Sequence, residues 1–273
     1  MQMSPSAHAV LRSFDGDDLV VAADFGVAGR PAATVTELVA ELKTECTVWE
    51  TLPPPYGDET GMGGRQHVDR WVRDVRDGGR AVRAVLGFCR GSVYAGAMHR
   101  EISRWQDPPL LILLDPDRPH RRMIVDYFGE MLVSRLEPML STTEIEEVVQ
   151  AGRDVDGKAA DPLELADGLG ALCRQILPPA CQRAGMVGER STELARILAS
   201  YLHWLAAATE FDVRPLWSSA IALNSGSEGY GLDAFDEADR AGLVAEVIQC
   251  ETPYEDLMRS AEVARVIDDL LRR

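Results

Sequence analysis

Five cysteines occur in the 273 residues, an odd count, and no two of them have CxxC spacing. That excludes a disulfide framework or a zinc site of the usual spacing and points to a reducing compartment. Basic residues are scarce beside acidic ones, 28 Lys and Arg against 44 Asp and Glu, for a formal charge of -16. A surface that acidic repels phosphate backbones, so nucleic acid is not an expected partner. The N-terminal stretch MQMSPSAHAVLRSFDGDD lacks the apolar region a secretory signal needs. Apolar runs are short, and none approaches the roughly 18 residues that cross a bilayer. One of the longest, Leu110 to Leu114, stops at Asp115. The expectation is a cytoplasmic protein without membrane attachment. Histidine is also sparse: His8, His67, His99, His120 and His203, with none after that.

What remains is an ordinary globular composition, 46% hydrophobic and 26% charged. The length suits one large domain or two small ones. Short apolar runs at Leu19 to Ala23, Cys46 to Trp49, Ala81 to Phe88 and Leu110 to Leu114 predict buried strands. Between them, helical spacing predicts helices over Thr34 to Lys43, His67 to Val75 and about Ser92 to Trp105. Alternation of this kind builds a mostly parallel sheet flanked by helices, an α/β fold.

The alternation then stops. Helical periodicity covers Arg121 to Leu136, Thr142 to Ala151, Leu163 to Ile176 and Ser191 to Thr209. Strands are predicted again at Leu216 to Leu223 and Leu243 to Ile248, with a closing helix over Tyr254 to Leu271. The expected organisation is core over 1–117, a helical lid insertion over 118–210, and core again over 211–273. An insertion of that length between strands usually covers a site.

The chemistry-bearing segment is Gly87-Phe88-Cys89-Arg90-Gly91, a G-x-C-x-G placed directly between a predicted strand and a predicted helix. A nucleophile on so sharp a turn is held in a strained backbone and projects above the sheet edge, while Gly87 and Gly91 leave room for the crossing. The following helix N-terminus favours negative charge and is expected to lower the thiol pKa. The Arg90 N–H can donate to an oxyanion.

This segment resembles the nucleophile elbow of the α/β-hydrolase superfamily, with cysteine where serine is usual. From about Leu19 to Leu271 the chain is similar to the thioesterases of nonribosomal peptide and polyketide synthesis, terminal or free-standing. The loop Asp24-Phe25-Gly26-Val27-Ala28-Gly29 falls where that family places its second oxyanion donor, which the resemblance assigns to Phe25 or Gly26. Asp115, after Leu110 to Leu114, matches the family's catalytic acid, and the insertion begins where the family's lid does. Asn224 ends a later strand and cannot be that acid; Asp233 and Asp236 rank below Asp115.

The sequence departs from the family at the base. Tyr254, within Gln249 to Met258, stands where the resemblance requires histidine. His120, just past Asp115, and His203, in the insertion, are the candidate substitutes; Glu255 and Asp256 are adjacent carboxylates beside Tyr254. A thiol tolerates the loss of a base better than a hydroxyl, because part of it is already ionised near neutral pH. Attack on a thioester exchanges sulfur for sulfur, whereas release to water needs a base. Three functions follow. The first is a thioesterase-like enzyme with a Cys89 acyl intermediate. The second is an acyl- or aminoacyltransferase passing that group to an amine, hydroxyl or thiol. The third is a degenerate fold that only binds. The resemblance implies a phosphopantetheine-tethered substrate and an acyl or peptidyl carrier protein as partner, with no cofactor and no metal.

Overall fold

The computed structural model of the chain describes residues 7–25, 32–59, 61–136, 140–183, 185 and 189–272, with backbone alone for 131–136 and 189. Its first compact unit comprises residues 1–52, 65–118 and 211–273; the second comprises 53–64 and 119–210. Among the described residues no helix is long and apolar enough to cross a membrane.

The first unit carries β1 (His8–Arg12), β2 (Asp18–Ala23), α1 (Val35–Glu41), β3 (Thr47–Thr51), α2 (Gly64–Gly78), β4 (Ala81–Phe88), α3 (Gly91–Ile102) and β5 (Leu110–Leu114). The second holds α4 (Arg121–Leu136), α5 (Thr142–Asp156), α6 (Pro162–Arg183) and α7 (Glu189–Ala208). The chain then returns to the first unit through α8 (Val213–Trp217), β6 (Ile221–Asn224), a 3-10 turn at Gly231–Ala234, α9 (Glu237–Arg240) and β7 (Glu246–Gln249). A second 3-10 turn, Tyr254–Arg259, leads into α10 (Ala261–Leu271).

The strands form one seven-stranded sheet in the order β1-β3-β2-β4-β5-β6-β7. All pairs are parallel except β1 with β3. Leu19, Val20, Val21 and Ala22 are fully buried, which is why β2 reads as a continuous apolar run and not as an alternating one. In register, Ala23 lies opposite Gly87 and Phe88 opposite Leu114. The carboxyl ends of β2, β4 and β5 therefore meet at one sheet edge, where a parallel sheet collects its functional loops.

Four features differ from the sequence expectation. Residues 8–12, where no element was expected, form an edge strand, and His8 is buried with Nδ1 at 3.0 Å from Asp74 Oδ2. Residues 216–223 are not one strand. The Asp212 carboxylate caps the Arg214 N–H at 3.1 Å and starts α8, and the strand begins only at Ile221. Its apolar Leu216 and Trp217 are buried as helix contacts, with the Trp217 indole donating to the Ser92 carbonyl at 2.9 Å. The last strand starts at Glu246, because the Leu243 N–H turns back to the Arg240 carbonyl. The closing helix breaks at Ser260, whose hydroxyl accepts from Val263 N–H and caps α10 afresh.

The 42–46 connection is pinned from both sides. Arg12 donates to the carbonyls of Val39, Leu42, Thr44 and Cys46. The buried Asp268 carboxylate accepts from the Lys43 and Thr44 N–H groups and the Thr44 hydroxyl.

In the second unit, Leu165, Leu169, Cys173 and Leu177 form the buried stripe of α6, and Leu198, Leu202 and Leu205 are buried on α7. The Pro-rich loop at 53–64 belongs to this unit. Glu59 accepts from the Ser200 hydroxyl at 2.9 Å, and Glu210 accepts from the Gly64 N–H at 2.9 Å.

Candidate active site

The turn from β4 to α3 is a tight elbow. Cys89 has φ 49°, a left-handed backbone that costs a non-glycine residue about 1–3 kcal/mol and persists only where the surroundings impose it. Here they do. The Cys89 N–H donates to the Leu114 carbonyl at 2.9 Å, and its own carbonyl accepts from Ser92 and Asp117, each at 3.1 Å. The two glycines permit the crossing. A Cβ on Gly87 would lie 2.6 Å from the Ser92 Cα, and one on Gly91 would lie 2.1 Å from the Ala23 carbonyl oxygen. Helix α3 thus starts against the end of β2, with the thiol above its first turn.

Cys89 is partly exposed. The Arg90 N–H and the Tyr254 hydroxyl both hydrogen-bond its sulfur. Tyr254, in the loop after β7, therefore reaches the elbow, and its ring lies between Tyr230 (centroids 4.2 Å, 23°) and Phe88 (5.4 Å, 18°). Beside them Arg90 Nε pairs with Asp117 Oδ2 at 3.3 Å.

One expectation is reversed. The helix N-terminus was expected to depress the thiol pKa, but burial pushes Cys89 above its ordinary value. The Arg90 guanidinium, the Tyr254 hydroxyl and the Arg90 N–H act the other way, and Asp117 adds to the rise.

Asp115, at the end of β5, is also left-handed, with φ 42°. It is buried, its Oδ1 accepts from the Ser225 N–H at 2.7 Å, and its Oδ2 has no hydrogen-bond partner among the described residues. Burial pushes this carboxyl up, against the pull of Ser225, and Asp233 adds to the rise. Asp115 also helps to push the buried Cys250 thiol up to about 11, behind burial itself and Glu262.

The other candidates are engaged elsewhere. Among the described residues of the first unit, no imidazole meets Cys89: His8 is held on Asp74, His99 on the Pro109 carbonyl at 3.0 Å, and His67 lies against Trp71 and Tyr94. His120 is in the second unit, where its Nδ1 accepts from the Met123 N–H at 3.2 Å at the start of α4. His203 is buried on α7 of the same unit, and burial holds its pKa down. Asp256 pairs with Arg259, Asp233 pairs with Arg240, and Asp236 caps α9. Glu255 is exposed. The Phe25 N–H donates to Asp24 Oδ1 at 2.8 Å, so it serves an oxyanion only once that bond opens. Gly26 lies outside the described residues. Among the described residues no cluster of His, Cys, Asp and Glu suits a metal ion.

Sequence reasoning missed Ser225, Ser227, Tyr230 and Asp117. The first three sit in Asn224-Ser225-Gly226-Ser227-Glu228-Gly229-Tyr230, which reads as a turn and carries no spacing that announces a site.

No family model and no curated protein matches the chain. Solved structures do. The Vlm2 thioesterase domain bound with a dodecadepsipeptide superposes with a TM-score of 0.55 at 15% identity, over 97% of this chain and 98% of that one. The NocB thioesterase domain, in covalent complex with a fluorophosphonate nocardicin G analogue, gives 0.51 at 18% identity, over 94% and 95%. A holo four-domain nonribosomal peptide synthetase bound to AMP and glycine gives 0.61 at 13% identity, over 97% of this chain and 20% of that one. At such identities the likeness concerns architecture. The chain has the α/β-hydrolase fold in the form seen in thioesterase domains.

Proposed function

We propose that the protein is a thioesterase-like enzyme that takes acyl or peptidyl groups from carrier-protein thioesters onto Cys89, in the biosynthesis of nonribosomal peptide or polyketide products. The observation that carries this reading is the elbow thiol with two donors on it, the Arg90 N–H and the Tyr254 hydroxyl. The Cys89 sulfur attacks the thioester carbonyl. The tetrahedral oxyanion is received by backbone N–H groups at the elbow, first that of Arg90. The bond to the phosphopantetheine sulfur then breaks, and the carrier thiol leaves with the proton that Cys89 gave up.

A second reading concerns the acceptor. Among the described residues, no imidazole or carboxylate hydrogen-bonds the thiol. A phenol, whose ordinary pKa is near 10, is a poor base for water at neutral pH. This favours delivery to an amine, thiol or hydroxyl over hydrolysis. The test is single turnover with an acylated carrier protein, followed by a chase with water alone or with added amine or thiol. Discharge by water at a rate equal to loading supports hydrolysis. Discharge that waits for the added nucleophile supports transfer. Failure of the wild type to deacylate the carrier across a broad acyl panel refutes both.

A further inference from the structure

The geometry points to Asp115 as a positioning residue for Tyr254, acting through the Ser225–Ser227 turn and not through a base. This deepens the reading of Cys89 as the nucleophile, and it rests on a chain of contacts. Asp115 Oδ1 accepts from the Ser225 N–H at 2.7 Å, and the Ser225 hydroxyl also faces the carboxylate. Ser225 Oγ accepts from the Ser227 N–H at 3.4 Å, and Ser227 Oγ accepts from the Tyr254 N–H at 3.0 Å. The Tyr254 hydroxyl then meets the Cys89 sulfur. The turn is laced to the tyrosine-bearing segment at two further points: Gln249 Nε2 donates to the Ser225 carbonyl at 2.6 Å, and the Gly226 N–H donates to the Thr252 carbonyl at 2.8 Å. Stacking between Tyr230 and Phe88 sets the plane of the Tyr254 ring. The serine relay sets where along that plane the hydroxyl ends.

Two observations set Asp115 apart from a residue kept for the fold. It is strained in backbone, and it buries a carboxylate oxygen with no hydrogen-bond partner among the described residues; both features cost stability. Nor does it act on the thiol by its charge. Among the described residues, the charged groups that face Cys89 are Arg90 and Asp117, whereas Asp233 and Cys250 share the surroundings of Asp115.

Alkylation of Cys89 by iodoacetamide as a function of pH tests this without any acyl chain or carrier. It therefore reads the positioning whether or not the protein is a thioesterase. Peptide mapping restricts the signal to Cys89. Tyr254→Phe is expected to slow alkylation at neutral pH by about tenfold, the loss of one hydrogen bond to a charged group, and to displace the profile to higher pH. Asp115→Ala and Ser227→Ala are expected to displace it in the same direction by about threefold or more, and to add nothing in a Tyr254→Phe background. Asp115→Asn keeps an oxygen for the Ser225 N–H and is expected to retain the wild-type profile. Should Asp115→Ala not fold, Ser227→Ala carries the same test. The inference is overturned if both variants leave the profile unchanged, or if their effects persist in full without the tyrosine hydroxyl. A shift to lower pH for Asp115→Ala would also overturn it, since that is the signature of a direct charge effect.

Discussion

Substituting Gly91 sets two effects of known size against each other. Replacing a helical glycine by alanine ordinarily gains up to about 1 kcal/mol, because glycine loses more backbone freedom on folding. At Gly91 the new methyl would sit 2.1 Å from the Ala23 carbonyl oxygen and 2.9 Å from the Ala23 carbonyl carbon, both backbone atoms of β2. Ordinary contact there is at least 3.4 Å, so α3 must retreat by more than 1 Å or β2 must bend. Overpacking of this kind costs about 1–3 kcal/mol, and the rigid partner places Gly91→Ala at the upper end. The net is a loss of about 2 kcal/mol, or a melting temperature lower by about 4–8 °C for a chain of this size. Gly129 is the control, since it lies in α4 and, among the described residues, nothing is within 4 Å of its would-be Cβ. Gly129→Ala is expected to gain up to about 1 kcal/mol. Differential scanning calorimetry on both variants, with Cys89 alkylation as a local readout, measures the balance. Gly91→Ala as stable as Gly129→Ala, with unchanged thiol reactivity, would refute the close crossing at the elbow.

Two further outcomes follow from the site and its carboxylates. Cys89→Ser is expected to lose acyl loading by at least about 10²-fold, because a hydroxyl is a weaker nucleophile than a thiol and, among the described residues, no imidazole or carboxylate hydrogen-bonds the elbow side chain to activate it; single-turnover deacylation of the carrier measures it. Asp268 and Asp115 have opposite pH signatures. Burial pushes Asp268 up, but the Thr44 hydroxyl and the Lys43 and Thr44 N–H groups together hold it below its ordinary value. Its contribution is therefore present above the unfolded value near 4 and is lost as pH falls through the lower folded value. Asp115 is raised by burial, so its charge costs stability increasingly as pH rises from the unfolded value through the higher folded one. At neutral pH Asp268→Asn is expected to unfold at lower denaturant than wild type and Asp115→Asn at higher, with Asp268→Asn approaching wild type in acid.

The central sheet was legible because parallel strands buried on both faces leave unbroken apolar runs. Ala81 to Phe88 and Leu110 to Leu114 match β4 and β5 residue for residue. The edges were less so. In β7 the Glu246, Val247 and Gln249 side chains are exposed, and β1 mixes buried His8 with exposed Val10, so neither shows the core signal. Trp217 and Leu216 are apolar because they pack as a helix, a distinction that five residues of sequence do not carry. At the site, the elbow was legible because its glycines, thiol and flanking elements are local in sequence. Tyr254 was legible by its place in the order of elements. Its hydrogen bond to Cys89 was not, nor was the serine turn that holds it, because those contacts join segments far apart in the chain. The thiol pKa was misread for a similar reason. The helix N-terminus is visible in sequence, whereas the burial that outweighs it is a property of the assembled fold.

The most direct measurement is intact-protein mass spectrometry of wild type and Cys89→Ala after incubation with an acyl-phosphopantetheine-loaded carrier protein, with peptide mapping of any adduct. The account expects one acyl group on the wild type, mapped to Cys89 and absent from Cys89→Ala. An adduct on another residue, or equal deacylation of the carrier by Cys89→Ala, would contradict it.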